Sequence, residues 1–227
     1  MKKLVYLQMM CLAMFSSGVA SCGTDEEDIS NNQYVVTIDS DGKTSSGVYF
    51  VPINDKNFYI NGVLYTIISG HLEVDGFDKD ILPPKVNIIS VLNYKGMTFK
   101  VNKIRGCAFQ ECRHITEVVI PAGIVSIGAW AFKECNSLKS VTISNTVETI
   151  GEWAFRGDAL ESIIIPNSVS VIGAEAFTGC MSLTHAKVPA RFKDITYKDL
   201  YSPGNRYVSF QESVFKDCKS LKKIEYY

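Results

Sequence analysis

Seven cysteines and three histidines are the residues with which this 227-residue chain could do chemistry, and their spacing argues against most of it. A structural zinc site wants paired ligands of the C-x-x-C kind, and none is present. His-Glu-x-x-His, Gly-x-Ser-x-Gly and a Gly-rich phosphate loop are missing as well. His71, His114 and His185 stand in different parts of the chain. Cys112 and His114 are the nearest pair for thiol catalysis, but residues this close in a turn are expected to face apart. No catalytic residue, metal or cofactor is therefore expected, and the chain reads as a non-enzyme. Arg156-Gly157-Asp158 spells an integrin-binding tripeptide, yet it coincides with a turn of the pattern described next and is read as that turn.

Four cysteines, Cys112, Cys135, Cys180 and Cys218, share one register of an internal repeat. Its fullest copies read Ile127-Gly128-Ala129-Trp130-Ala131-Phe132 and Ile150-Gly151-Glu152-Trp153-Ala154-Phe155, each followed by Leu, Val or Ile at alternating positions. The matching phenylalanines, 109, 132, 155, 177 and 215, are separated by 23, 23, 22 and 38 residues. A fixed period in this range marks a solenoid, whose units cannot bury their apolar faces alone and must stack. Each unit predicts a single helical turn that inserts Ala and Phe, then a strand such as Leu138 to Ile143 with one face inward. Stacking sets these strands side by side in one parallel sheet. The cysteines then form a ladder of small, buried thiols rather than disulfides, because residues in one register point the same way.

Three departures interrupt the repeat. Unit one carries Arg105 where units two to four have Gly, and unit three lacks the cysteine and is one residue short. Unit five follows an excess at 190–208. That excess holds Phe192, Tyr197, Tyr201, Arg206 and Tyr207, residue types enriched at contact hot spots, so it is the candidate binding element. A self-packed loop with its tyrosines against the last unit is the alternative. Trp130 and Trp153 hold equivalent positions and should be neighbours, either packing the turns together or forming a convex aromatic patch. The outward strand positions mix charges and carry no aromatic row, which speaks against a carbohydrate platform there. The last strand, at Ile224 to Tyr227, offers an edge for self-association or for a partner's strand.

Upstream, Asn61-Gly62 between two apolar runs predicts one hairpin, and Tyr94-Lys95-Gly96 a second. Leu72 to Gly76 reads as another strand and Pro83-Pro84 as a break. Residues 48–100 are thus expected to be a β-rich cap on repeats 101–227. The net charge of -1 excludes a broad nucleic-acid footprint. Residues 1–21 have the layout of a signal peptide: Lys2-Lys3, a short apolar run, then small residues. Residues 22–47 begin acidic and polar and read as a tether, with Tyr34 to Ile38 as a short edge strand.

Val19-Ala20-Ser21-Cys22 resembles the lipobox of bacterial lipoproteins, which implies lipid on Cys22. Asp25 to Asp28 resembles the surface-export signal of Bacteroidetes lipoproteins, which implies outer-membrane attachment with exposure to the cell exterior. The repeat itself, I-G-x-x-A-F-x-x-C-x-x-L-x-x-V-x-I-P, resembles the BspA-like, Treponema-type leucine-rich repeats. That resemblance implies a β-rich solenoid with a parallel sheet on one face and short helical turns on the other. It also implies an adhesin that binds host matrix proteins or other cells. A surface glycan-binding accessory protein is the alternative, suggested by the lipoprotein layout and the insertion's tyrosines.

Overall fold

The computed structural model describes residues 34–39, 44, 48–198 and 206–227. The signal peptide, Cys22, the acidic stretch and Tyr201 lie outside the described residues. The cap forms from hairpins as its turns dictate. β3 (Asn57–Ile60) and β4 (Val63–Ile68) pair antiparallel across Asn61 and Gly62, whose φ values of 48° and 80° are those of a twist-matched two-residue turn. β7 (Val91–Tyr94) and β8 (Met97–Ile104) close in the same way over Lys95 and Gly96. β1 (Val35–Ile38) lies within the stretch read as tether, but pairs in parallel with β7 and buries Val36 and Ile38.

The cap hands over to the repeats through β5 (His71–Phe77), which runs parallel to β8. Phe77 lies parallel to Phe109 with ring centroids 6.0 Å apart, extending a column that continues through Phe132, Phe155, Phe177 and Phe215 at spacings of 5.0–5.5 Å. Each of these repeat phenylalanines is buried, so the column is the spine of the core. The departure at Arg105 is explained at this junction. In later units the corresponding Gly lies against the preceding coil, and a Cβ on Gly151 would sit 2.6 Å from the Gly128 carbonyl carbon. Unit one has the cap before it instead, and its longer side chain reaches Asp75 at 2.6 Å and Glu73 at 3.4 Å.

Where one parallel sheet was expected, each of the first four coils contributes to two. β8 continues into β10 (Ser126–Ile127), β12 (Thr149–Ile150) and β14 (Val171–Ile172) as a ladder of short strands. The longer strands divide into two sheets. β6 (Lys85–Asn87), β9 (Glu117–Ile120) and β11 (Ser140–Ile143) form one; β13 (Ser162–Ile164), β15 (His185–Val188) and β18 (Lys223–Tyr226) form the other. The division falls at the shortened third unit, where Glu161 N–H to Lys139 O carries the connection across. The segments read as helical turns are chains of i→i+3 turns, as in Ala131 N–H to Gly128 O and Lys133 N–H to Trp130 O. In units one to four they do not lengthen into helix because left-handed residues bracket the phenylalanine, such as Trp130 at φ 61° and Glu134 at φ 63°. Phe109, Phe132 and Phe155 each donate a backbone N–H to the alanine carbonyl one coil onward, which locks the turns into a third ladder.

Candidate functional site

The thiol ladder is a structural device. Cys135, Cys180 and Cys218 donate to the carbonyls of Phe109, Phe155 and Phe177 at 3.1, 3.2 and 3.1 Å. All four ladder cysteines are free, and burial pushes the Cys135 thiol far up. Cys112 does touch His114, contrary to the expectation that they face apart, with Sγ to Nδ1 at 3.8 Å. Contact does not make a nucleophile here. Burial raises Cys112 to about 11, and His114 Nε2 lies 3.1 Å from the Leu82 carbonyl. A buried thiol held protonated is the opposite of what thiol catalysis needs. Unit three puts Asp158 beside this ladder. Its Oδ1 accepts from Cys135 N–H at 2.9 Å, its Oδ2 finds no partner, and desolvation holds its pKa well above 3.8. A carboxyl this buried cannot reach a receptor, so the Arg-Gly-Asp tripeptide is spent inside.

Trp130 and Trp153 stack at 5.6 Å with an interplanar angle of 13°, and Lys133 and Arg156 each sit within 6 Å of the indole in their own turn. The rings face each other along the stack and tie the turns together, while Trp130 stays 39% exposed at the surface. In unit four the same position is Glu175, and there the surface opens into a cleft.

The insertion builds the far wall of that cleft. After β15 the chain makes a one-turn 3-10 helix (Ala190–Phe192) and an antiparallel pair, β16 (Thr196–Lys198) with β17 (Tyr207–Ser209). It then enters a short helix, α1 (Phe210–Val214). The helix starts at a capping box, with Ser209 Oγ accepting from Glu212 N–H and the Glu212 carboxylate accepting from Ser209 N–H. These bonds hold the exposed Glu212 carboxyl below its ordinary pKa. Val214 then takes the alanine position of the coil, receiving Phe177 N–H at 2.9 Å, and Phe215 rejoins the spine.

The insertion also finishes the short-strand sheet with side chains. Earlier coils satisfy the Ile127 and Ile150 carbonyls with the Gly151 and Gly173 N–H groups. The equivalent Ile172 carbonyl receives the Tyr197 hydroxyl at 2.7 Å. Burial raises Tyr197 to about 12, which keeps this donor protonated. Arg191, which composition alone did not single out, does the same for the carbonyls of Asn167 and Val169, both at 2.7 Å. Phe192 is buried against Phe210 with ring centroids 5.3 Å apart. Of the candidate binding residues, then, Phe192 is buried in the interior, and Tyr197 is half-buried with its hydroxyl on the Ile172 carbonyl. Arg206 and Tyr207 face solvent, Tyr207 at 68% exposure.

The cleft encloses about 620 Å³ between the turn face of units three and four, the β16–β17 pair and α1. Lys198, Arg206 and Lys216 face Glu152, Glu175, Glu212 and Asp217 across it. Lys216 pairs with Glu175 at 3.3 Å and Arg206 with Glu212 at 3.8 Å. Among the described residues no cluster of His, Cys, Asp and Glu is arranged to hold a metal ion.

Residues 102–222 match the BspA type Leucine rich repeat region in six copies, more than half of the chain and one copy more than the phenylalanine spacing suggests. The chain is a BspA-type leucine-rich repeat protein. A leucine-rich repeat protein from Bacteroides capillosus is 30% identical, with a TM-score of 0.50, over 52% of this chain and 88% of that one. One from Bacteroides ovatus is also 30% identical, with a TM-score of 0.52, over 74% of this chain and 46% of that one. The pneumococcal vaccine antigen PcpA shares the fold at 18% identity, with a TM-score of 0.58, over 76% of this chain and 37% of its own. This BspA-type chain thus spans less than half of the latter two. A comparison with curated proteins finds no significant match.

For a BspA-type repeat the tryptophan pair, the thiol ladder and the phenylalanine spine follow from the period. Glu152, Glu175 and Asp217 escaped notice because each looks like an ordinary solvated turn residue. Only the return of the chain at unit five brings them opposite Lys198 and Arg206.

Proposed function

We propose that this protein is a non-catalytic, lipid-anchored lipoprotein exposed on the bacterial surface, and that it binds protein ligands at the cleft beside the insertion. The observation that carries the reading is the position of Arg206 and Tyr207. They stand outward at the start of a paired strand whose Val208 is buried, beside a cleft lined with both signs of charge. Rigid anchors next to satisfiable charges suit a polypeptide segment, which brings backbone groups and charges of both signs. Adhesion to host matrix proteins or to other cells is the role that the family resemblance implies, and Cys22 is the residue that would carry the lipid. The glycan-binding alternative rests on the lipoprotein layout and the insertion's tyrosines. Of those tyrosines, Tyr197 gives its hydroxyl to a carbonyl and Tyr207 is open to solvent. The charges of both signs in the cleft favour a polypeptide over a glycan.

The test is a binding panel of matrix proteins and polysaccharides with the full chain and an Arg206→Glu/Tyr207→Ala variant. A matrix protein is expected to bind, at least about tenfold more weakly to the variant, since each tenfold is about 1.4 kcal/mol. Binding that ignores the double substitution, or that is confined to polysaccharide, overturns the reading. Removing 192–207 is the poorer experiment, because it also removes the Arg191–Tyr197 arrangement that finishes the sheet.

A further inference from the structure

The last coil differs from every other in what covers it. In unit four Cys180, Leu183, Ala186 and Val188 are fully buried; their counterparts Cys218, Leu221, Ile224 and Tyr226 are only half-buried. β18 pairs with β15 on one side and, among the described residues, with no strand on the other. Tyr227 N–H bonds the Val188 carbonyl and its own carbonyl accepts from Ala190 N–H, so the ladder to β15 runs through Lys223, Glu225 and Tyr227. Strand alternation therefore turns the N–H and C=O groups of Ile224 and Tyr226 away from the sheet.

We infer that this edge is a dimer interface between two copies of the chain, with β18 pairing antiparallel to β18 about a two-fold axis through Ile224. Backbone phase and charge select this register together. Outward-facing residues must oppose outward-facing residues, which allows axes through residue 223, 224 or 225. An axis at 223 opposes Lys to Lys, and one at 225 opposes Glu to Glu; like charges directly opposite are destabilising. The axis at Ile224 sets Lys223 against Glu225 twice and brings Ile224 over its own copy. Both charged side chains already share one face, with Lys223 Nζ 3.4 Å from Glu225 Oε2. The interface is isologous and closes at two copies, and it continues the core by covering Leu221, Ile224 and Tyr226.

The full chain in detergent, followed by sedimentation velocity over a concentration series, should show a monomer–dimer equilibrium. Lys223→Glu alone and Glu225→Lys alone should each weaken the dimer at least about tenfold, because each opposes like charges. An equimolar mixture of the two variants should recover the dimer, since every opposed pair is then Glu with Lys. Unchanged circular dichroism keeps misfolding out of the comparison. A monomer at every concentration, a dimer indifferent to either substitution, or a mixture that stays monomeric overturns the inference.

Discussion

Units two to four and the unit that follows the insertion are made from the same sentence but use it differently. In the regular units backbone groups meet the isoleucine carbonyls, with Gly151 and Gly173 donating to Ile127 and Ile150, while Phe132 and Phe155 donate to the alanine one coil onward. Beyond unit four the equivalent Ile172 carbonyl is met by a side chain, the Tyr197 hydroxyl. Arg191 takes the Val169 carbonyl, whose counterparts Ile124 and Val147 receive the Thr146 and Ser168 hydroxyls. Repetition settles the interior and leaves few choices at the surface. The break must satisfy the groups that repetition would have satisfied, and in doing so it projects Arg206 and Tyr207 into solvent. The lesson is that an insertion in a solenoid is part cap and part presentation surface, and its aromatic residues divide between those tasks.

The largest effect should come from breaking the regular region. Phe155 contacts a stacked ring on either side at 5.2 Å, so Phe155→Ala removes a central rung of the spine. It should cost about 4 kcal/mol of stability, measured as a lower midpoint in urea. A cost below about 1 kcal/mol would mean that the spine does not carry the stack.

Asp158 gives a pH-dependent test of the same region. Its folded-state pKa is raised above 3.8 by burial, so the folded protein keeps this proton where the unfolded chain has released it. The stability associated with that proton is therefore present in full below about pH 4. It falls as pH rises towards the folded-state pKa, by up to about 1.4 kcal/mol per unit. Asp158→Asn should remove this slope and raise stability above neutral pH by about 1–2 kcal/mol, read from urea titrations across the pH range. An unchanged slope would show that Asp158 is ionised in the fold.

The smallest effect sharpens the division within the insertion. Tyr197→Phe leaves the Ile172 carbonyl without its donor and should cost about 1 kcal/mol, whereas Tyr207→Ala should stay within about 0.5 kcal/mol. Equal costs in thermal unfolding would erase the distinction between cap and presentation surface.

Much of the regular region was legible because its signal is periodic: hairpin turns at Asn61-Gly62 and Lys95-Gly96, strands from alternation, and the cysteine register from equal spacing. The two-sheet arrangement was not. Two-residue strands such as Ser126–Ile127 are too short to show a period, and the division beside unit three follows from a single missing residue. At the insertion, composition did not separate the residues that pack inward from those that face solvent. Phe192 and Tyr197 look the same in sequence as Tyr207, and Arg191 looks like any surface base.

The chain by itself determined that it stacks, roughly how often, and which side chains fill the stack. Those are local facts, written as a period and an alternation of apolar residues. Only the tertiary structure decided that Asp158 is buried, that Tyr197 serves a carbonyl, and that Glu152, Glu175 and Asp217 face Lys198 and Arg206. Each depends on which coil lies above and which below, and on unmet backbone groups that the nearest side chain must satisfy.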